Sequence, residues 1–163
     1  MSNEEMDIIQ EEDTQKGKFL IFTIDKEDYG IEIKNVLEIV GIQPITAVPQ
    51  LPEYIKGMIN LRGKIIPVMD VRLRFKKKEI KYDDRTCIII VQLDEIYVGL
   101  IVDRVSEVMN ISDDEFTEVP EIGSNSNNRY ISSIGNTKSG VKIILDCNKI
   151  ISDDEIDAIS DLA

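Results

Sequence analysis

One stretch of this chain occurs twice, and that duplication constrains the fold more than any other feature. Phe19–Ile39 aligns without a gap on Ile88–Val108, at an offset of 69 residues that sets Gly30 against Gly99. Ile21, Ile24, Asp25, Ile31, Ile33, Val36, Glu38 and Ile39 meet Ile90, Leu93, Asp94, Leu100, Val102, Val105, Glu107 and Val108. Further on, Tyr54–Asp70 aligns with Tyr130–Asp146 at an offset of 76, so the second copy holds seven extra residues. The polar loop Ser124–Asn128 is the natural place for them and reads as mobile. Asp, Gly and Glu match along with the apolar pattern, which a chance likeness of two strand-rich stretches would not produce.

The repeated unit is written in strands. Apolar, β-branched or alternating runs predict strands at Lys18–Ile24, Tyr29–Ile33, Val36–Val40, Lys64–Met69, Thr86–Leu93, Tyr97–Val102, Ser106–Ile111 and Val141–Asp146. Asp25–Asp28 reads as a hairpin turn. Many short strands and few helical periods indicate an all-β chain of two similar small β-barrels packed side by side. Ligand sites favour the groove that such a junction creates. Two helix starts are marked. Ser112-Asp113-Asp114-Glu115 and Ser152-Asp153-Asp154-Glu155 both have the capping-box pattern, in which the serine accepts from a free helix N–H and the glutamate reaches back. The second opens a predicted C-terminal helix from Asp153 to about Ser160.

Charge divides the chain into three. The net charge is −12, but residues 1–16 and residues 152–163 each carry −5, leaving −2 for residues 17–151. The expected organisation is therefore an acidic tail at 1–16, a barrel body at 17–151 and an acidic helix at 152–163. The basic run Arg72, Arg74, Lys76, Lys77, Lys78, Lys81 reads as a polar loop or a protected edge. A nucleic-acid role for it is disfavoured by the near-neutral body and the lack of an aromatic platform.

Residue counts exclude most chemistry. The chain has no histidine, so His-based nucleophilic catalysis, His metal ligation and a phosphoacceptor histidine are all excluded. No GxxxxGK[ST] or GxGxxG motif is present. Cys87 and Cys147 lack metal-ligand spacing and read as buried thiols. The Asp pairs fall largely in helix first turns, where the macrodipole accounts for them. No catalytic residue, metal site or cofactor site is expected. No apolar run approaches the ~20 residues of a membrane helix, and no signal-peptide pattern opens the chain. A soluble, cytoplasmic protein is expected.

The segment Gly57–Arg72 stands apart. Glycines flank Arg62 within an apolar stretch, which reads either as a turn before a strand or as an anchor for a partner. A partly buried Arg62 would need a carboxylate, and Glu38 is the candidate.

Ile59-Asn60-Leu61-Arg62-Gly63 followed by Pro67-Val68-Met69-Asp70-Val71-Arg72 resembles the hallmark of the CheW family of bacterial chemotaxis coupling proteins. The resemblance runs from Phe19 nearly to the end of the chain. It takes in Tyr29-Gly30-Ile31, Val36-Leu37-Glu38-Ile39, Arg85-Thr86, Val98–Asp103 with Val105, and Ile144-Leu145-Asp146. It implies two SH3-like five-stranded barrels around a shared core, with short helices. It also implies a non-catalytic adaptor that joins the cytoplasmic tip of methyl-accepting chemoreceptors to the regulatory domain of the histidine kinase CheA. Matched residue by residue, it implies a receptor-binding face of Val36, Glu38, Ile39, Gly57, Arg62 and Val108 in the groove between the barrels. It implies no cofactor, nucleic acid or membrane insertion. A fragment of a larger signalling protein with the same fold is the alternative, and the capped acidic end makes a complete protein the expectation.

Overall fold

The structure is a computed structural model that describes residues 16–118 and 129–151. The predicted helix at 153–160, the Ser124–Asn128 loop and the acidic tail up to residue 15 lie outside the described residues.

Among the described residues, eleven strands form two sheets. The first copy contributes β1 (Lys18–Ile24), β2 (Glu27–Glu32), β3 (Val36–Gly41), β4 (Ile55–Leu61) and β5 (Lys64–Asp70). The second contributes β6 (Cys87–Leu93), β7 (Ile96–Val102), β8 (Arg104–Asn110), β9 (Phe116–Thr117), β10 (Ile131–Thr137) and β11 (Gly140–Leu145). Short helices α1 (Val71–Arg74) and α2 (Cys147–Ile151) follow β5 and β11. The sheet orders are β8-β1-β2-β11-β10-β9 and β3-β6-β7-β5-β4.

These orders show how the repeat is used. At the two offsets, β1 corresponds to β6, β2 to β7, β3 to β8, β4 to β10 and β5 to β11. Applying that correspondence to one sheet gives the other, apart from β9. Each barrel therefore takes its first hairpin from one copy and its remaining strands from the other. Four pairings join the copies: β1–β8 and β3–β6 are antiparallel, and two parallel ones set Ile144 beside Gly30 and Val68 beside Gly99. A Cβ on Gly30 would lie 2.8 Å from Ile144 Cδ1, and one on Gly99 would lie 2.8 Å from Val68 Cγ1. Branched neighbours on the flanking strands fill the space a side chain would need, which explains why glycine recurs at this place in the repeat.

The long apolar runs have the same origin. Along β1, Phe19 and Ile21 point into one cluster with Ile111 and Ile144, whereas Leu20, Phe22 and Ile24 point into another with Ile89, Val91, Val98 and Leu100. Along β6, Ile88 and Ile90 join a third cluster with Ile59, Ile66 and Val68, and Ile89 and Val91 return to the shared one. Successive residues of a strand face opposite ways. Strands β1 and β6 line a barrel interior with one face and the common layer with the other, so both of their faces are apolar.

The repeated Tyr and Asp are also structural. Asp70 N donates to Tyr54 O at 2.7 Å, and Asp146 N donates to Tyr130 O at 2.8 Å. Asp70 then caps α1 by accepting from Leu73 N, and Asp146 accepts from Asn148 N at the start of α2. Arg72, at the end of the hallmark segment, is buried. Its Nε donates to Asp103 Oδ1 at 2.9 Å, and a terminal nitrogen reaches Asp25 Oδ1 at 3.4 Å. The same Asp103 accepts from Asp25 N at 2.7 Å. One arginine thus ties the end of β5 to the β7–β8 junction and the β1–β2 turn.

The all-β expectation and the two barrels hold, and three details differ. Strands β4 and β10 form where no strand is predicted, and each contains a glycine. The capping box at Ser112 forms, yet it opens only one 3-10 turn, Asp113–Glu115, before the chain enters β9. The two-residue β9 gives one sheet a sixth strand, by pairing Phe116 with Gly135.

Candidate docking site for a protein partner

Strands β3 and β4 end the five-stranded sheet, and the side chain of Arg62 spans them. Leu61 pairs with Lys64, leaving Arg62 and Gly63 as a two-residue hairpin turn. Both have positive φ, 53° and 87°. Such a turn matches the twist of the flanking strands. Gly63 N donates to Asn60 Oδ1 at 2.8 Å, which steadies it. From this turn the guanidinium makes a two-pronged bond to Glu38 on β3, at 2.6 and 2.8 Å. Planar fork and carboxylate fit each other in that geometry. The bond holds the Glu38 carboxyl below its usual range and raises the guanidinium. The turn reading holds, and Glu38 is the ion-pair partner of Arg62, although the arginine is exposed rather than partly buried. The Arg62 side chain remains 73% exposed while Glu38 is 25% exposed, so the pair faces solvent.

The other site residues take distinct positions. On β3, Ile39 is 40% exposed. Val36 is half-buried and packs against the shared core. Gly57 is buried on β4 with φ 142°, and a Cβ there would lie 2.0 Å from Thr46 O. The backbone approaching Gly57 is the chain's own: Thr46 and Met58 exchange bonds of 2.8 and 2.9 Å. Val108 lies on β8, the edge of the other sheet, and is 54% exposed. The structure thus joins Glu38 to Arg62, places Val36 and Ile39 on the same strand and Gly57 in the same sheet, and puts Val108 on the corresponding edge of the other barrel. The expected receptor-binding face omits Leu37, which is 53% exposed between Val36 and Glu38. A register shift between Val36 and Glu38 marks a bulge there. The signal for Leu37 was the break in period-2 alternation at Val36-Leu37.

Strands β3 and β8 correspond in the repeat but have diverged. Ile39 and Val108 match, and so do Glu38 and Glu107. Leu37 is answered by Ser106 and Arg62 by Lys138. Among the described residues, only the first copy has its edge glutamate in an ion pair with that turn. No group of three or more Cys, Asp or Glu residues able to hold a metal ion occurs among the described residues. Cys147 is buried, which pushes its thiol up to about 12, and Cys87 is half-buried. No described helix is long and apolar enough to cross a membrane.

Paired edge strands with exposed aliphatic residues and a surface ion pair, on an exchanged double barrel, define an adaptor-type β-module. The CheW-like domain family matches residues 18–155. The chain is 33% identical to the chemotaxis protein CheW of Klebsiella aerogenes over 151 residues, 93% of this chain and 91% of that one. It is 33% identical to CheW of Bacillus subtilis over 134 residues, covering 82% and 86%. The crystal structure of the scaffolding protein TtCheW from Thermoanaerobacter tengcongensis superposes with a TM-score of 0.78 at 34% identity, covering 85% of this chain and 94% of that one. This chain belongs to the CheW family of chemotaxis scaffold proteins.

Proposed function

We propose that this chain is a non-catalytic cytoplasmic adaptor that couples the cytoplasmic tip of a chemoreceptor to the regulatory domain of the histidine kinase CheA. The receptor's helical hairpin lies against the β3 edge and reaches toward β8. Ile39 and Val108 bury aliphatic surface against it, and an amphipathic helix in a groove is an established recognition mode. The Arg62–Glu38 pair sets register at the rim. Val36 and Gly57 act from beneath, Val36 by packing under the edge and Gly57 by letting the Thr46 segment lie close to β4. The working unit is 17–151, with acidic extensions at 1–16 and 152–163.

The observation that carries this reading is the exposed ion pair beside exposed Leu37 and Ile39 on a strand that ends its sheet. Charged rims give specificity and apolar centres give affinity. The test is a pull-down with a receptor signalling fragment and a kinase regulatory domain, followed by a kinase assay on all three together. Capture of both, with kinase activity dependent on this chain, is the expected result. Capture of neither overturns the proposal.

A further inference from the structure

Four lysines, Lys76, Lys77, Lys78 and Lys81, crowd the loop after α1, and the docking site makes no use of them. Among the described residues none of the four makes an ion pair, while Glu79 in their midst is taken by Lys56 at 2.6 Å. Lys77 stands at the rim of a cleft of about 240 Å³ whose floor is apolar: Tyr29, Phe75, Ile131, Ile143 and Leu145. Glu27 also lines it, engaged by the Tyr29 hydroxyl at 2.8 Å. Ile131 and Ile143 are only half-buried. A cationic rim over an apolar floor suits a segment that is both acidic and aliphatic.

The chain carries such a segment close by. Residues 152–163 combine Asp153, Asp154, Glu155, Asp157 and Asp161 with Ile156, Ile159 and Leu162. The described chain stops beside the cleft. Arg74, the residue before Phe75, donates to Ile150 O at 3.2 Å, and α2 ends at Ile151. The described chain begins elsewhere, at residue 16. Gly17 is bonded to Ile111 at the opposite end of the β1–β2 hairpin from Glu27. That separation is roughly 20 Å at ~3.3 Å per strand residue.

We propose that residues 153–162 dock back on this surface, with aliphatic side chains over the cleft and carboxylates against Lys76–Lys81. The basic loop is then an internal clasp for the acidic terminus. It leaves the β3 edge free and keeps a cationic patch from attracting other acidic chains.

Zero-length carbodiimide crosslinking of the full-length protein at low salt, read by mass spectrometry, tests this. The expected product is intramolecular amide linkage between Lys76–Lys81 and the acids of 153–161. Its yield falls about threefold in ~0.5 M salt, where screening shortens to ~4 Å. In ¹⁵N spectra, the full-length Ile156→Ser/Ile159→Ser variant should shift the amides of Ile131, Ile143 and Lys77. Linkage to acids of residues 1–13, linkage only between two copies, no linkage to these lysines, or unmoved cleft amides would each overturn the proposal.

Discussion

The two barrels hold different solutions at one place in the repeat, and this makes a self-controlled experiment. In one barrel, Lys142 Nζ bonds Asp28 Oδ2 at 2.7 Å, with the lysine side chain 6% exposed and the aspartate 35% exposed. The corresponding residues of the other barrel are Ile66, buried, and Tyr97, half-buried. An apolar pair therefore fits this site, and the ion pair is an alternative to it. Removing one partner of a fully buried pair costs about 3–5 kcal/mol, whereas replacing both with apolar groups is often neutral. Here the two single changes should differ. Asp28→Asn strands the buried ammonium, and the expected loss is about 2–3 kcal/mol, reduced from the full figure by water at the aspartate side. Lys142→Met keeps the aliphatic stem and leaves a carboxylate that still reaches water and Thr23, for about 1 kcal/mol. The double variant should come within about 1 kcal/mol of the parent. Urea midpoints at neutral pH measure all three. The acid limb adds a second reading. The hydrogen bond from Lys142 holds the Asp28 carboxyl below its ordinary value, with Arg104 adding to the effect. A depressed folded-state value means that the pair's stabilisation is complete above the unfolded aspartate pKa, about 3.9, and is lost as pH falls through the folded value. Lys142→Met should flatten that limb. If Lys142→Met costs as much as Asp28→Asn, or the double variant sums the singles, the argument from unequal burial is refuted.

Other consequences are quicker to state. Gly99→Ala places a Cβ 2.7 Å from Ile88 Cγ2 and should cost about 1–3 kcal/mol by overpacking, whereas Gly41→Ala meets nothing within 4 Å; thermal melts of both variants check the contrast. In the native protein, a thiol reagent at neutral pH should modify Cys87 far faster than Cys147, whose thiol is pushed up to about 12 by burial; equal rates would contradict the assigned burial. Val108→Asp should weaken capture of a receptor fragment at unchanged melting temperature, since Val108 is 54% exposed, whereas Val36→Asp should also lower the melting temperature because Val36 packs on the shared core.

Much of this architecture was legible because the chain states it twice. The offsets of 69 and 76 paired strands that do correspond, and the repeated Gly30/Gly99, Tyr54/Tyr130 and Asp70/Asp146 mark positions where packing or capping leaves little choice of residue. What was not legible is the exchange of hairpins between barrels. An apolar strand advertises burial on both faces, but not which copy supplies its neighbour. The pairing of Val68 with Gly99 has no local signature. Strands β4 and β10 carry a weak strand pattern, since each contains a glycine, and the crowding of Gly57 by Thr46 and of Gly135 by Ile111 is visible only in the fold. The Glu38–Arg62 pairing was readable only as a condition on burial, which the 73% exposed Arg62 side chain does not meet. That it closes the gap between the two ends of a sheet was not readable. The helix expected after Ser112 failed for a simple reason. A capping box supplies a start, and propagation needs an amphipathic run that Phe116-Thr117 does not continue.

The duplication also separates what the fold requires from what the surface has been free to choose. Positions kept alike in both halves, such as Asp25 and Asp94 at φ 62° and 56° in the two hairpin turns, serve geometry. Positions that differ serve something else. Arg72, seated against Asp103 and Asp25, corresponds to Asn148, so the two copies do not contribute equally to the link that this arginine makes. Leu37 corresponds to Ser106 and Arg62 to Lys138, so only one edge carries both an extra exposed aliphatic side chain and a two-pronged ion pair. Two copies folded on the same plan offer two equivalent edges, and a molecule that needed only symmetry would have kept them equal. At the edges, the differences fall on β3 and on the β4–β5 turn that reaches it. A partner meeting both edges would therefore find one with a fixed charge register and one without. This inequality gives the module a direction: the same fold, used twice, presents two edges that are not interchangeable.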